Sequence, residues 1–369
     1  MNNIITIKEI ARQALPRLME NLVFPNLVHK DFSEDFVSGK GDKIQVRKPV
    51  ILDAENFDET NGTTPQAVNE SSVEVTLDKL ATVDVEFSAL ESATSIDDLN
   101  RIFIEPAAAA LAQKINSDGL DLYKDIANTV GTAGTTPSTL TDISEVRKVL
   151  NAAKVPVSPR YAVWDTEADA KFTTVDAIVN AEKSGSTSAL RDGSIGKVFG
   201  LDNYMSQAVK THKTGITKAT GVKVNGAVSK GAEKLSVDGT NLTGKFVKGD
   251  LIKIGGKTYT VTKDSADAAS NAIAEVCVYP ALDALADDTT VEVISNHTAN
   301  LAFNPSAFAF VTRPLTAPSG VESYVTSYNG ITLRVVKGYD MKYKKETLSM
   351  DVLYGYKTMY PELAVRVLG

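Results

Sequence analysis

The stretch TSIDDLNRIFIEPAAAALAQKINSDGLDLYKDIA, residues 94–127, contains the longest helix that the sequence supports. Ser95 can cap the first turn, and Pro106, which lacks an N–H group and crowds the preceding turn, divides the stretch. The pattern therefore predicts a short lead-in helix and a second helix with Pro106 at its first position. An apolar stripe at near-helical spacing follows, formed by Leu111, Ile115, Leu122 and Ile126. A helix over residues 106–127 would span about 33 Å, long enough to be the backbone of a domain, although the same pattern is typical of a core helix in any large domain.

Composition indicates a globular protein without export signals. The chain has 369 residues, of which 43% are hydrophobic and 23% charged, so two or more domains are expected. The only cysteine, Cys277, excludes an internal disulfide and is typical of a reducing compartment. Residues 1–10 lack the apolar core of a signal peptide, and no run approaches about 18 apolar residues, so we expect a soluble protein without a membrane span. The formal charge of −7 argues against a nucleic-acid binder that works through a basic surface, although a local basic patch is compatible with it.

The N-terminal residues predict a helix that precedes the first strand. Residues 7–22 alternate apolar and charged side chains at helical spacing, with a bend or break expected at Pro16 and an end at Pro25. Because few residues separate this helix from the first strand, it has little of its own domain to pack on. We therefore hypothesise that it leans on a neighbouring molecule.

Two stretches with a strand period follow. Residues 43–49 alternate apolar and polar side chains and predict a strand closed by Pro49. Over residues 73–87 the apolar side chains keep one phase, and as a single strand this stretch would extend about 50 Å. That length favours a two-stranded arm that projects from the body and finds its apolar partner on another subunit, because an isolated hairpin is marginal in water. The alternative is a strand bent at residues 78–80 into two shorter strands.

The stretch between these strands is polar and acidic. Residues 53–70 carry acidic side chains and no basic residue, so the tip of the arm is expected to meet Lys or Arg groups of a neighbour. The predicted contact between subunits comprises Arg47, Lys48, Asp53, Glu55, Asp58 and Glu59.

The middle of the chain mixes helices and strands. Residues 128–141 form a Gly/Thr/Ser/Pro linker, and Asp142 with Glu145 opens a helix that continues to residue 153. A short buried strand is predicted for residues 160–164, helical structure for 166–181 and a loop for 185–194. Such a mixture is typical of a sheet with helices on its faces.

From about residue 210 the pattern changes to closely spaced strands. Turn dipeptides occur at Asn225-Gly226, Asp238-Gly239 and Gly255-Gly256, and about six short strands in residues 210–296 predict a small antiparallel barrel or sandwich. Because the mixed pattern resumes with residues 307–312, this module is an insertion. The remaining residues predict strands over 331–336, 341–343, 347–354 and 363–367, with a turn at 338–340.

No motif in the sequence predicts a catalytic residue, a cofactor or a metal. His29, His212 and His297 lie in different segments without metal-ligand spacing, so structural or solvated roles are favoured. Cys277 lies within a predicted strand and is expected to be buried. The glycines of residues 39–42 precede a strand, whereas a phosphate loop follows one and opens a helix. The enzyme hypothesis therefore has little support.

Several stretches resemble the tailed-phage major capsid proteins of the P-twenty-two coat-protein type, which have the HK97 fold. The similarity covers nearly the whole length, and none of its stretches is a catalytic motif. The stretches are LPRLMENLV (15–23), LVHKD (27–31), GDKIQVRKP (41–49), IGKVFGL (195–201), NLAF (300–303), AFA (307–309) and PELAVRV (361–367).

This resemblance implies an α+β fold with an N-terminal arm, an extended β loop, a peripheral domain with a spine helix, an axial domain and an inserted small antiparallel β-barrel. The corresponding ranges are 1–31 for the arm, 32–88 for the extended loop and its strands, 89–141 for the peripheral domain with the spine helix, 142–209 and 297–330 for the two parts of the axial domain, 210–296 for the inserted barrel and 331–369 for the C-terminal strands of the peripheral domain.

The resemblance also implies a function. It predicts a major capsid protein that assembles, as hexamers and pentamers of itself, into the icosahedral shell around the double-stranded DNA of a tailed phage. A scaffolding protein, a portal protein and non-specifically contacted DNA are the further expected partners, with no membrane and no cofactor. The protein is expected in the virion, and in the host cytoplasm before assembly. The alternative is a tail or baseplate protein of a phage particle.

Overall fold

The computed structural model describes residues 7–30, 43–47, 72–88, 104–185, 187–341 and 345–369. Within these ranges the chain has an α+β fold, as the sequence predicts. The α-helices are α1 Ile7–Asn21, α2 Phe24–Leu27, α3 Glu105–Leu120, α4 Leu140–Ala152, α5 Thr166–Phe172, α6 Asp176–Val179, α7 Ala181–Ser184 and α8 Ser188–Asp192, with a 3-10 helix at Asp121–Asp125.

The described strands form two large sheets in the body of the molecule, a six-stranded sheet and a two-stranded pair in the insertion, and a two-stranded ribbon of the first two strands. They are β1 Lys43–Arg47, β2 Ser72–Thr76, β3 Lys79–Ser88, β4 Thr129–Gly131, β5 Tyr161–Trp164, β6 Lys197–Val198, β7 Leu201–Met205, β8 Thr211–His212, β9 Ile216–Lys218, β10 Lys223–Val224, β11 Lys234–Asp238, β12 Thr243–Gly244, β13 Leu251–Ile254, β14 Lys257–Val261, β15 Ala272–Tyr279, β16 Val291–Val293, β17 His297–Phe303, β18 Phe308–Arg313, β19 Glu322–Tyr328, β20 Ile331–Asp340, β21 Lys345–Thr358 and β22 Ala364–Leu368.

The first body sheet has five strands. β20 lies between β19 and β21, β18 continues the sheet along the same side of β21, and β3 pairs with the other side of β21. All of these pairs are antiparallel, and α1 and α3 pack on this sheet.

The second body sheet has the order β4-β22-β17-β5-β7-β6, and β8 pairs with β17 beside it. Its pairs β4–β22 and β5–β7 are parallel. Apolar cores cover both faces: Trp164 and Phe172 belong to one core, and Leu301 and Phe303 belong to the other, which also contains the long helix α3. Short helices on one side and α3 on the other therefore enclose this sheet.

The long helix α3 has the predicted start but a shorter α-helical part. Pro106 lies in its first turn, as expected, and Leu111, Ile115 and Ile126 of the predicted stripe are buried, whereas Leu122 is half-buried. The chain tightens into the 3-10 helix at Asp121, so the α-helix ends seven residues before the predicted end at residue 127. The predicted lead-in helix over 94–103 lies outside the described residues.

The N-terminal helix corrects one prediction. α1 continues through Pro16 without a break, and Pro25 lies in the first turn of α2 rather than ending α1. The apolar face of α1 packs on α3, β19 and β20 of its own chain, and Ala14 and Leu18 are fully buried there. The premise that this helix has little of its own chain to pack on is therefore wrong, and its contact with a neighbouring molecule stays a prediction.

The single-phase stretch over 73–87 also corrects a prediction. It forms two strands, β2 and β3, separated at Leu77 and Asp78, which is the alternative interpretation. β3 pairs with β21 from Lys79↔Tyr354 to Ser88↔Lys345, and Ala81 is buried on α3's side of this sheet. Residues 79–88 thus belong to the body of the same chain, and Ala81, Val83 and Val85 of their apolar phase lie at the chain's own core.

The middle region contains the predicted helix and strand, with further short helices between them and the next strands. α4 begins with a capping box, in which the Thr139 side chain accepts from the Asp142 N–H and the Asp142 carboxylate accepts from the Thr139 N–H. The predicted strand at 160–164 is confirmed as β5. The helical stretch 166–181 divides into short helices, and the predicted loop at 185–194 contains α8.

Other differences concern strands with weak local signals. β4 lies in the predicted linker 128–141, and β19 has no counterpart in the prediction. The predicted turn at 338–340 is wrong, because β20 continues to Asp340. Cys277 is half-exposed rather than buried.

Residues 216–293 form what we call the insertion. Its six-stranded sheet has the order β10-β11-β15-β14-β13-β16, and β9 pairs with β12 beside it. The predicted hairpin at Gly255-Gly256 joins β13 to β14. Asn225-Gly226 and Asp238-Gly239 instead begin longer loops, which lead to β11 and β12. A separate apolar core contains side chains from residues 216–291, among them Phe246, Tyr259 and Val276.

We expect the Gly119→Ala variant to lose about 1–3 kcal/mol of stability by overpacking. A Cβ at Gly119 would lie 2.9 Å from Phe24 Cε1 and 2.9 Å from Tyr356 Cζ, and both rings are held in the core. Denaturant unfolding measures the change, and Ala110→Ser, at an exposed position of the same helix, should stay within about 0.5 kcal/mol of the parent. An unchanged midpoint for Gly119→Ala would show that these rings have room to move.

Candidate functional site

The strands expected to carry the contact between subunits form a two-stranded ribbon. β1 pairs only with β2 among the described strands, in antiparallel register from Lys43↔Thr76 to Arg47↔Ser72. An exposed ion pair of 2.6 Å joins Lys43 Nζ to Glu74. Arg47 is the last residue of β1, at the end of the ribbon away from Thr76. The other predicted contact residues, Lys48, Asp53, Glu55, Asp58 and Glu59, lie outside the described residues.

The base of the ribbon is fixed to the body. Val75 and Leu77 are buried in a small apolar cluster with Ala309, Val311 and Met359. Gly355 of β21 lies against the Thr76 carbonyl so closely that a side chain there would collide with it. The ribbon therefore leaves the body at a defined place, and its far end is formed by Arg47 and Ser72, between which the acidic stretch lies in the sequence.

A second functional feature is the seam where the insertion meets the body. The 3-10 helix at Asp121–Asp125 supplies its body side: Thr260 Oγ1 of the insertion donates to the Lys124 carbonyl at 2.8 Å, and Lys248 Nζ lies 2.8 Å from Asp125. Gly249 has a φ of +94° and lies against Lys124, so a side chain there would be excluded both by the backbone and by this contact.

A buried chain of hydrogen bonds crosses the seam. Burial raises the pKa of Tyr123 to about 12, so its hydroxyl keeps its proton and donates to Nδ1 of His212 at 3.0 Å. His212 Nε2 donates in turn to Asp250 Oδ1 at 2.7 Å. The other carboxylate oxygen of Asp250 accepts from the Val247 N–H at 2.8 Å, and Asp250 has no exposed surface. The hydrogen bonds therefore join the 3-10 helix and β8 to one buried carboxylate of the insertion.

Arg366 and His297 complete the buried polar group. Arg366, on β22, donates to the Gly249 carbonyl at 2.8 Å and stacks on the Tyr123 ring at 4.4 Å. His297 Nδ1 donates to the Ser295 carbonyl at 2.7 Å. Burial, and next the charge of Arg366, lower the pKa of His297 to about 3, so its ring is neutral at pH 7. Among the described residues, neither His297 Nε2 nor the Nε and Nη2 atoms of Arg366 have a hydrogen-bond partner.

The prediction from the sequence did not place this group. Its members are far apart in the chain, and the histidines were interpreted only as structural or solvated. One local signal was available: Arg366 interrupts an otherwise apolar strand, Ala364–Leu368, all of which is buried. A charged residue that is fully buried needs partners, so this position pointed to a buried polar contact.

The described part of the chain contains no arrangement typical of a metal enzyme. No group of three or more His, Cys, Asp or Glu side chains is placed to hold a metal ion within it. No described helix is both long enough and apolar enough to cross a membrane.

Comparison with known proteins gives matches only among solved structures. No protein-family model and no curated protein matches the sequence. A chain of Mycobacterium phage Che8 is similar over 94% of this chain and 90% of that one, with 17% identity and a TM-score of 0.53. The chain therefore shares the fold of this phage protein. A chain from the capsid structure of the cyanophage P-SCSP1u is similar over 89% of this chain and 84% of that one, with 12% identity and a TM-score of 0.49.

Proposed function

We propose that this protein is the major capsid protein of a tailed phage, which assembles with copies of itself into an icosahedral shell around double-stranded DNA. The observation that carries the proposal is the shared fold over 94% of the chain. The two-stranded ribbon supports an assembling protein, because β1 pairs only with β2 among the described strands and an isolated pair of strands is marginal in water.

The division into domains follows from this proposal. We assign residues 1–31 to an N-terminal arm, 32–88 to the extended loop and its strands, 89–141 and 331–369 to a peripheral domain, and 142–209 with 297–330 to an axial domain. Residues 210–296 are then an inserted small barrel. Hydrogen bonds from Val224 N to the Thr289 carbonyl and from Val291 N to the Val222 carbonyl, both 2.9 Å, support closure between the first and last strands of the inserted sheet.

The proposed partners are copies of the chain in hexamers and pentamers, a scaffolding protein, a portal protein and packaged DNA contacted without sequence preference. The formal charge of −7 supports weak contact with DNA, because each phosphate contact would add salt-dependent affinity. The protein would be found in the host cytoplasm before assembly and in the virion afterwards.

Electron microscopy of the purified protein tests the function directly. A capsid protein should form closed shells, a tail protein should form tubes, and a baseplate protein should form rings. Discrete small particles under all assembly conditions would contradict a structural role in a shell.

We expect neutralisation of the acidic stretch to weaken assembly without unfolding the chain. Asp58→Asn with Glu59→Gln should raise the protein concentration needed for shell formation about fivefold, since each lost ion pair contributes about 0–1 kcal/mol. Light scattering measures assembly, and thermal melting of the unassembled chain should hardly change.

A matched control removes the same charge elsewhere. Glu145→Gln with Asp267→Asn alters two exposed acidic residues on α4 and in the insertion and should leave the assembly concentration unchanged. If the double variant at 58 and 59 melts early, the acidic stretch contributes to folding. If it assembles like the parent, these residues do not contact a neighbour.

A further inference from the structure

The insertion is joined to the body by two chain segments that pair with each other. β8 on the way in and the start of β17 on the way out are antiparallel, with His212 opposite His297 and Thr211 opposite Thr298. We call this pair of segments the neck. The two imidazole rings lie 5.5 Å apart, centroid to centroid, and both histidines are at most 3% exposed.

The two sides of the neck have independent cores. The apolar cluster of the insertion contains only residues 216–293, and the body has its own clusters on both faces of its sheets. Because the contacts across the seam are mainly polar, the seam can open while each core stays folded. Local opening at such a polar junction requires less free energy than global unfolding.

Several charged and titratable groups face the histidines. The body supplies Tyr123 and Asp121 of the 3-10 helix, Arg366 of β22, and Lys210, which pairs with Asp121 at 3.2 Å. The insertion supplies Asp250. His212 has a hydrogen-bond partner at each ring nitrogen, Tyr123 at Nδ1 and Asp250 at Nε2. His297 has no carboxylate among its hydrogen-bond partners in the described chain, and Arg366 is the positive charge that acts on it.

The two rings therefore differ in their surroundings, and His297 is the one with an unpartnered nitrogen among the described residues. At His297, protonation would add an N–H group at Nε2, where the described residues offer no acceptor, and would bury a second positive charge near Arg366. Protonation of His297 is therefore unfavourable while its ring stays buried in the closed neck.

We propose that the neck is an acid-sensitive hinge, in which protonation of His297 opens the seam and frees the insertion from the body while both keep their own folds. The hinge is a property of the single chain, so its test does not depend on shell formation.

The direction in which pH changes the stability of the closed neck follows from the two pKa values of His297. His297 has a pKa of about 3 when the neck is closed, and an ordinary histidine value near 6.5 when solvent reaches the ring. The closed state is thus fully favoured above about pH 6.5 and loses stability as the pH falls from there toward 3. Between about pH 8 and about pH 5, the opening constant should rise roughly 30-fold from this one residue.

Hydrogen exchange of the unassembled full chain, read by mass spectrometry and corrected for the intrinsic pH dependence of exchange, measures this opening. The reporter amides are Thr214, which donates to Asn296, and Ala299, which donates to the Lys210 carbonyl. The reference amides lie in the hairpin β13–β14 inside the insertion. We expect the reporters to open roughly 30-fold more at about pH 5, while the reference amides change little.

Two variants separate His297 from a general acid effect. His297→Asn keeps a donor for the Ser295 carbonyl and cannot take up the proton, so its reporters should lose the acid response. His29→Asn, far from the neck on the bridge to Ala309, should respond like the parent. In the parent chain, an NMR titration should show the His297 ring changing over the same pH interval as the amides.

Three results would overturn the proposal. The first is equal corrected exchange of the reporters at both pH values in the parent. The second is an acid response that survives in His297→Asn. The third is opening of the reference amides by the same factor, which would mean that the whole chain unfolds.

Discussion

The Asp250→Ala variant is expected to lose about 3–5 kcal/mol of stability in the unassembled chain, because removing one member of a buried polar group leaves the others without partners. Asp250 is fully buried, and its two oxygens accept from His212 and from the Val247 N–H. After truncation, His212 loses its acceptor, and Arg366 loses a negative charge that acts on it. Denaturant unfolding followed by circular dichroism measures the loss.

A control on the same insertion distinguishes burial from charge. Asp283 forms an exposed ion pair with Lys257, so Asp283→Ala should change the stability by no more than about 1 kcal/mol. Similar losses in the two variants would mean that Asp250 acts only through its charge. A small loss in both would mean that the seam opens without disturbing either core.

The ribbon and the insertion show what the sequence could predict. Alternation of side chains is local information, so β1, β13, β14 and β15 lie where the pattern places them. The same information could not decide between one long strand and two, because β2 and β3 share one apolar phase. The outcome depends on β21, a strand more than 250 residues later in the chain, which supplies ten paired residues to β3.

The seam could not be predicted for a similar reason. Tyr123, His212, Asp250 and Arg366 come from four distant segments, and each one alone is compatible with an ordinary structural role. Only the crossing of the 3-10 helix with the neck brings them together. For the ribbon, the sequence predicts contact residues beyond Arg47. An assembly experiment tests these residues, because they lie outside the described part of the chain.

The N-terminal helix was misjudged because its partners are also distant. Few residues lie between α1 and the first strand, but α1 packs on α3 and on the hairpin β19–β20, which follow more than 80 and 300 residues later. Sequence distance is a poor guide to what a helix can cover when the chain returns to it.

The Phe24→Ala variant should therefore destabilise the unassembled chain by about 3–5 kcal/mol, the usual loss for truncating a fully buried aromatic side chain. Phe24 has no exposed surface, and its ring lies 5.4 Å from Phe303, 5.5 Å from Phe308 and 6.0 Å from Tyr356, centroid to centroid. These rings belong to both body sheets, so the cavity would form where the sheets and α3 meet. Thermal and denaturant unfolding of the unassembled chain measure the loss.

A control variant and an assembly measurement decide whether the N-terminal residues pack within the body of their own chain or dock on a neighbouring subunit. Leu190→Ala, at a side chain that is 72% exposed, should stay within about 0.5 kcal/mol of the parent. If Phe24→Ala instead melts like the parent while shells fail to form, the N-terminal residues dock on a neighbour in solution. A loss of stability in the unassembled chain means that residues 7–30 are part of the body before any contact between subunits exists. The core around Phe24 is then fully packed in the single chain, and assembly adds only contacts between subunits.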